Sequence, residues 1–199
     1  LMDAPPEKED CVPFVTIDEF FYTNGVRVPH IVAKDLEQGF LLLEDFGDVL
    51  LSTQLDDKTV DGHYEQSFKQ LIQLQSIDGE GHFPAYSYEK LMTEMSLLTD
   101  WLLPSLQIQL TDDESALIKR TFAILANAAL AQPQVIVHRD FHSRNLMLLA
   151  DEQEQGVIDF QDAVIGADTY DLISITRDAY VQWNPERVYH WFKVFYDLL

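Results

Sequence analysis

The amino-acid sequence predicts a mixed α/β (α+β) fold of two lobes, a small β-rich lobe over residues 1–47 and a larger helical lobe over residues 48–199. Three observations carry the expectation. Strand-like runs joined by a turn fall before Gly47, and helical periodicity dominates after it. The helical part is interrupted once, by a polar stretch enclosed between apolar runs, "VIVHRDFHSRNLMLL" at residues 135–149. With 199 residues, 47% of them apolar, the chain is long enough to bury a sizeable core.

The opening "LMDAP" reads as the end of a strand entering a proline turn. Between Asp10 and Asn24, Phe14, Ile17, Phe20 and Phe21 recur at helical spacing, and Asn24-Gly25 supplies a stop. "HIVAKD" and "GFLLLEDFG" are short strands, and the "EQG" between them makes a hairpin. Phe68, Leu71, Ile72 and Leu74 place a helix over Tyr64 to Ile77, ended by the polar "DGEGHFP". A second helix runs from Tyr88 to Leu103, where Pro104 closes it. A third opens at "TDDE", with Thr111 as cap and Glu114 as its reciprocal partner, and reaches about Ala131. "QVIV", "LMLL" and "GVIDF" are short strands around the polar cluster. Helix resumes from Thr169 to about Trp183, and "NPE" starts another, with Asn184 as cap and Pro185 in the first turn.

The formal net charge of -21 argues against a nucleic-acid or anionic-membrane partner, because such surfaces demand an excess of Lys and Arg. Any anionic ligand must therefore be met locally, by a metal ion or a few placed cations. The lone cysteine, Cys11, leaves no internal disulfide and fits a reducing compartment. No apolar run approaches the ~20 residues of a membrane helix, and "LMDAPPEKED" lacks the features of a signal peptide. The expected location is cytoplasmic.

Within "HRDFHSRN", Asp140 and Asn145 stand five apart, and Asp159 in "VIDF" follows fourteen after Asn145. If "LMLL" and "GVID" pair as a hairpin, the loop before the first strand and the residue closing the second share one end, so Asn145 and Asp159 meet. Two hard oxygen ligands at one place suit Mg²⁺, which takes few protein ligands and binds through substrate phosphates. Asp140 is left to accept a proton or orient a hydroxyl, the division of labour that phosphoryl transfer needs.

"HRDFHSRN" together with "IDFQDA" resembles the catalytic and metal-binding segments of the aminoglycoside phosphotransferase and choline kinase-like family. The longer run through "GVIDFQDAVIGADTYDLISITRDAYVQW", with "MDAPPEKEDC" and "GFLLLEDFGD", is similar more narrowly to bacterial cell-wall-recycling kinases acting on the anomeric hydroxyl of N-acetylmuramate and N-acetylglucosamine. The resemblance implies a protein-kinase-like fold, ATP as co-substrate, Mg²⁺ as cofactor and a sugar or amino-sugar acceptor. It makes Asp140 the catalytic base and Asn145 and Asp159 the Mg²⁺ ligands. His138 and Arg139 would brace the loop, and His142 or Arg144 would supply positive charge to the phosphate. "LLLEDFG" would be the hinge between lobes, with backbone groups near Leu43 and Asp45 meeting adenine. Glu94, Gln161 and Asp178 are further acceptor-side candidates, against plainer roles in packing, in holding their own loop, or in an ion pair. The family's nucleotide-covering loop and strand Lys would precede Leu1, and relatives extend past Leu199, so the chain reads as a fragment at both ends, with a partial small lobe. Glu19 matches the helix glutamate that would pair that Lys.

Other readings stand beside this one. Asp and Asn often only cap turns. His138, Asp140 and His142 alternate, so a continuous strand would line them up as a Zn²⁺ or Fe²⁺ site. An aminoglycoside or choline-type alcohol is an alternative acceptor. A non-catalytic pseudokinase or interaction module is the rival from another class.

Overall fold

The structure, a computed structural model, describes residues 1–150 and 154–199. Strands β1 (Met2–Asp3), β2 (Ile31–Asp35) and β3 (Phe40–Leu43) form an antiparallel sheet in the order β1-β3-β2. The hairpin read from "EQG" is therefore present, with Asp35 opposite Phe40. Helix α1 (Val12–Thr23) buries Val15 and Phe21. It ends where Asn24 is followed by Gly25 at φ 81, a left-handed position that glycine adopts without cost. Cys11, Val15, Ala4 and Leu41 close a small core between α1 and this sheet. Glu19 does have a cationic partner: Lys34 on β2 reaches it at 2.5 Å, with both side chains largely exposed. Such a surface pair contributes little.

The helical part is built around α2 (Val60–Gln75), whose Tyr64, Phe68, Leu71 and Leu74 form one buried stripe at helical spacing. Against it lies α7 (Pro185–Leu198), which presents Val188, Trp191 and Phe195 and is capped by the Asn184 side chain, as the sequence predicts. The Tyr64 and Trp191 rings sit 4.6 Å apart. Helix α3 (Tyr88–Leu97) does not stop at Pro104. It passes through a π-turn at Leu98–Leu102 into one further turn, α4 (Leu103–Ser105). The wider turn fits the proline, which lacks an N–H and would crowd the carbonyl four residues before it in an ordinary helix. Helix α5 (Asp112–Leu130) opens on the expected capping box, Thr111 with Glu114. No helix of the described residues is long and apolar enough to cross a membrane.

Two small antiparallel pairs frame the polar cluster. Strand β4 (Gln134–Val137) pairs with β7 (Val164–Ala167), and β5 (Leu146–Leu148) pairs with β6 (Gln155–Val157). The tip joining β5 to β6 lies outside the described residues. Strand β7 was not read from the sequence, and β6 ends two residues short of Asp159. Helix α6 (Tyr170–Thr176) is also shorter than expected. It breaks because Asp178 turns back to bind Ser143 of the polar loop, a contact that a helix running on to Trp183 would forfeit.

Candidate active site

The segment His138 to Asn145 is a loop carried between β4 and β5, and each of its ends is tied down by a buried group. At its start, the backbone N–H groups of His138 and Arg139 both donate to the Asp171 carboxylate, at 2.7 and 3.1 Å. Asp171 projects from α6 and is wholly buried. Burial pushes its carboxyl up to about 7, opposed by the two N–H groups that favour the charged form. The His138 ring is equally buried, and its Nε2 lies 3.0 Å from the Ile158 carbonyl while Nδ1 accepts the Asp140 N–H at 3.3 Å. These contacts fix a neutral tautomer protonated at Nε2, consistent with burial lowering the imidazole to about 4. Both ring nitrogens are engaged and the segment is not a strand, so the alternating His138-Asp140-His142 metal site has no physical basis.

Two non-glycine residues here sit in the left-handed region, Arg139 at φ 78 and Asp159 at φ 64. Such positions cost free energy unless the surroundings over-determine them. The surroundings do so. Asn145 Nδ2 donates to the Asp140 carbonyl at 3.0 Å and to Asp159 Oδ2 at 3.2 Å, and Ile158 N–H donates to the Asn145 carbonyl at 3.0 Å. Thus Asn145 and Asp159, fourteen residues apart, meet as expected from the spacing. Gln161 Nε2 donates to the other Asp159 oxygen at 3.0 Å. The amide orientation leaves Asn145 Oδ1 without a hydrogen bond among the described residues. One amide oxygen and one carboxylate fit a Mg²⁺ ion that keeps most of its waters. Asp140 is exposed, and none of the described residues bonds its carboxylate.

The remaining candidates separate by what they touch. Arg139 reaches away from the loop to Glu94 of α3 at 2.7 Å, and Glu94 also accepts a short hydrogen bond from the Tyr86 hydroxyl. Glu94 is thereby held by protein groups. Asp178, buried behind the loop, accepts from Ser143 N–H at 2.8 Å and from Tyr180 N–H at 2.7 Å. Its carboxylate is turned toward the loop's own backbone. His142 packs edge-on against the Tyr180 ring at 5.2 Å, and the Arg144 guanidinium lies 3.7 Å from the centre of the same ring. In the segment expected to form the hinge, Asp45 lines a cleft of about 550 Å³ with Glu44, Phe46, Gly47, Leu148 and Leu149. Leu43 is the last residue of β3 and packs into the small core near β1. Arg27 grips Glu44 through two hydrogen bonds of 2.7 and 2.6 Å and lies over the Phe46 ring at 4.6 Å. That pairing holds the Glu44 carboxyl down at about 2. Asp171 and Arg27 escaped the sequence reading. An Asp inside an apolar helical run and a lone Arg before a strand carry no local mark of what they will reach.

A family model described as the phosphotransferase enzyme family matches residues 1–197. The N-acetylmuramate/N-acetylglucosamine kinase of Pseudomonas aeruginosa is 43% identical over 190 residues, covering 95% of this chain and 56% of that protein. The protein of the same name from Pseudomonas putida is 40% identical over 192 residues, covering 96% of this chain and 56% of its own length. The chain therefore spans little more than half the length of these relatives. Among solved structures, ADP-bound aminoglycoside phosphotransferase APH(2'')-Ib superposes with a TM-score of 0.65 at 21% identity, covering 92% of this chain and 65% of its own. Aminoglycoside phosphotransferase APH(3'')-Id from Streptomyces rimosus, in complex with ADP and streptomycin, gives 0.67 at 13% identity, with 98% and 77% covered. At these identities the likeness is one of fold, the two-lobed protein-kinase-like arrangement expected from the sequence. With the match running from residue 1 to residue 197, the chain belongs to the phosphotransferase enzyme family.

Proposed function

We propose that the protein is an ATP- and Mg²⁺-dependent kinase that phosphorylates the anomeric hydroxyl of N-acetylmuramate or N-acetylglucosamine. The names of relatives at 43% and 40% identity support the acceptor. The observation that carries the reading is the single amide of Asn145, which spans from the Asp140 carbonyl to the Asp159 carboxylate and so locks the loop to the turn that follows β6. The lone thiol and the acidic composition fit a cytoplasmic enzyme with a small-molecule acceptor.

In this reading Asp140 faces the acceptor. Its exposed carboxylate accepts a hydrogen bond from the sugar hydroxyl, orients that oxygen toward the γ-phosphorus, and takes the proton as the new P–O bond forms. The bond to ADP breaks with its electron pair passing to the β-phosphate oxygen. Asn145 Oδ1 and the Asp159 carboxylate would hold Mg²⁺. When bound, the ion offsets the charge gathering on the phosphate oxygens. His142, two residues after Asp140, is the loop side chain we assign to the transferred phosphate, and the cleft beside Asp45 is assigned to the nucleotide base. Asp171, His138 and Asp178 act through the loop: they hold its backbone so that Asp140 needs no rearrangement at the moment of reaction.

The test is turnover of a panel of N-acetylmuramate, N-acetylglucosamine, an aminoglycoside and choline with ATP and Mg²⁺, read by mass spectrometry. Phosphorylated amino sugars are expected, and Asp140→Asn should lower turnover by about 10²- to 10⁴-fold with an unchanged melting temperature. Transfer only to the aminoglycoside or to choline would overturn the acceptor assignment. Wild-type rates in Asp140→Asn would overturn the mechanism.

A further inference from the structure

Arg144 is an exposed cation in a chain of net charge -21, four residues from the exposed Asp140. Arg27, Arg139 and Arg187 each bond carboxylates, namely Glu44, Glu94 and Asp61. Among the described residues Arg144 bonds none. It lies on the Tyr180 ring, 3.7 Å from its centre, nearer than Arg27, Arg139 or Arg187 lies to its own ring. That ring is positioned by a buried carboxylate: Asp178 accepts from Tyr180 N–H through one oxygen and from Ser143 N–H through the other, stapling the segment after α6 to the polar loop. The His142 ring meets Tyr180 from another side, 5.2 Å away at 77°. The loop thus presents a cation on an aromatic platform, one residue before Asn145 and four after Asp140.

We propose that Arg144, supported by Tyr180, recognises a carboxylate carried by the acceptor sugar. A guanidinium packed on an aromatic face keeps the N–H groups at its edge free, and that edge matches a carboxylate through two parallel hydrogen bonds. The platform also costs the side chain less freedom on binding than a free-swinging arginine would lose. Tyr180 lines a cleft of about 390 Å³ with Arg177, Gln182 and Trp183, and this cleft shares no wall residue with the hinge-side cleft assigned to the nucleotide. Arg144 itself stands on the same loop as Asp140, and with that loop we place it on the acceptor side. This inference rests on the amino-sugar kinase reading and sharpens it, because N-acetylmuramate bears a lactyl carboxylate and N-acetylglucosamine bears none. Arg144 would be the residue that distinguishes the two.

The experiment compares steady-state phosphorylation of both sugars by the wild type, Arg144→Gln and Arg144→Lys. Arg144→Gln is expected to lower kcat/KM for N-acetylmuramate about 10- to 100-fold more than for N-acetylglucosamine, chiefly through KM. Arg144→Lys should recover part of the loss, since it restores the charge without the planar fork. Equal losses on both sugars, or a rise in the KM for ATP in step with the loss, would overturn the assignment and hand Arg144 to the phosphates. A wild type that phosphorylates neither sugar would overturn the kinase reading and this inference with it, an outcome distinct from equal losses in an active enzyme.

Discussion

The meeting of Asn145 and Asp159 was legible because their spacing could be tested against a hairpin, and the amide bridge between them at 3.2 Å is the contact that the spacing implies. Asp171 was not legible, although it holds the start of the loop. Its partners lie more than thirty residues away in sequence, and among Leu172, Ile173 and Ile175 it looks like an ordinary polar turn of a buried helix. Asp18 is a second acid buried without local warning, and its Oδ2 has no partner among the described residues. Burial raises its carboxyl from 3.8 to about 7. The native chain therefore keeps a proton there that the unfolded chain releases. Stability from this group is fully present below about 3.8 and is lost as pH rises through about 7. Asp18→Asn, neutral at every pH, should melt above the wild type on the alkaline side of about pH 7, and the gap should close in acid. Thermal melts across that range check it, and a gap independent of pH would show that Asp18 is not held protonated.

At the scale of elements, long periodic helices were read well because burial and period agree, as in Tyr64, Phe68 and Leu71 of α2. The departures occur where tertiary contacts overrule local signals. The backbone continues past Pro104 because a π-turn relieves the proline, and α6 stops at Thr176 because Asp178 is needed at Ser143. Strand β7 has four residues and draws its identity from pairing with β4, which no short-range pattern announces. The pair of β5 and β6 carries a constraint of its own. A Cβ at Gly156 would come within 2.2 Å of the Phe46 ring, the same ring that receives Arg27 and packs on Met147. Gly156→Ala should therefore destabilise the fold by about 1–3 kcal/mol through overpacking. It should also weaken nucleotide binding more than acceptor binding, because Phe46 lines the hinge-side cleft. Denaturant titration and the KM values for ATP and sugar measure the two effects, and an undisturbed stability would mean that the ring moves aside freely.

Over the whole molecule, the two-lobed plan followed from a change of pattern near Gly47, whereas the way the loop is braced did not. Its supports come from separate parts of the chain: Asp159 in the turn after β6, α6, and the segment after α6 that carries Asp178. Hydrophobic patterning specifies which faces are buried, and it says little about which polar group closes each buried backbone donor. The acidic excess is spread over the chain, yet Arg144 stands four residues after Asp140 and bonds no carboxylate among the described residues. Under the proposed function, a cation there offsets the repulsion that an acidic molecule exerts on an anionic ligand. The most direct test of the account is ³¹P NMR of ATP and N-acetylglucosamine incubated with Mg²⁺ and either the wild type or Asp159→Ala. A sugar-phosphate resonance growing with the wild type and absent with Asp159→Ala, both proteins folded, is the predicted result. The same resonance at the same rate from Asp159→Ala would contradict the claim that Asn145 and Asp159 together form the site of phosphoryl transfer.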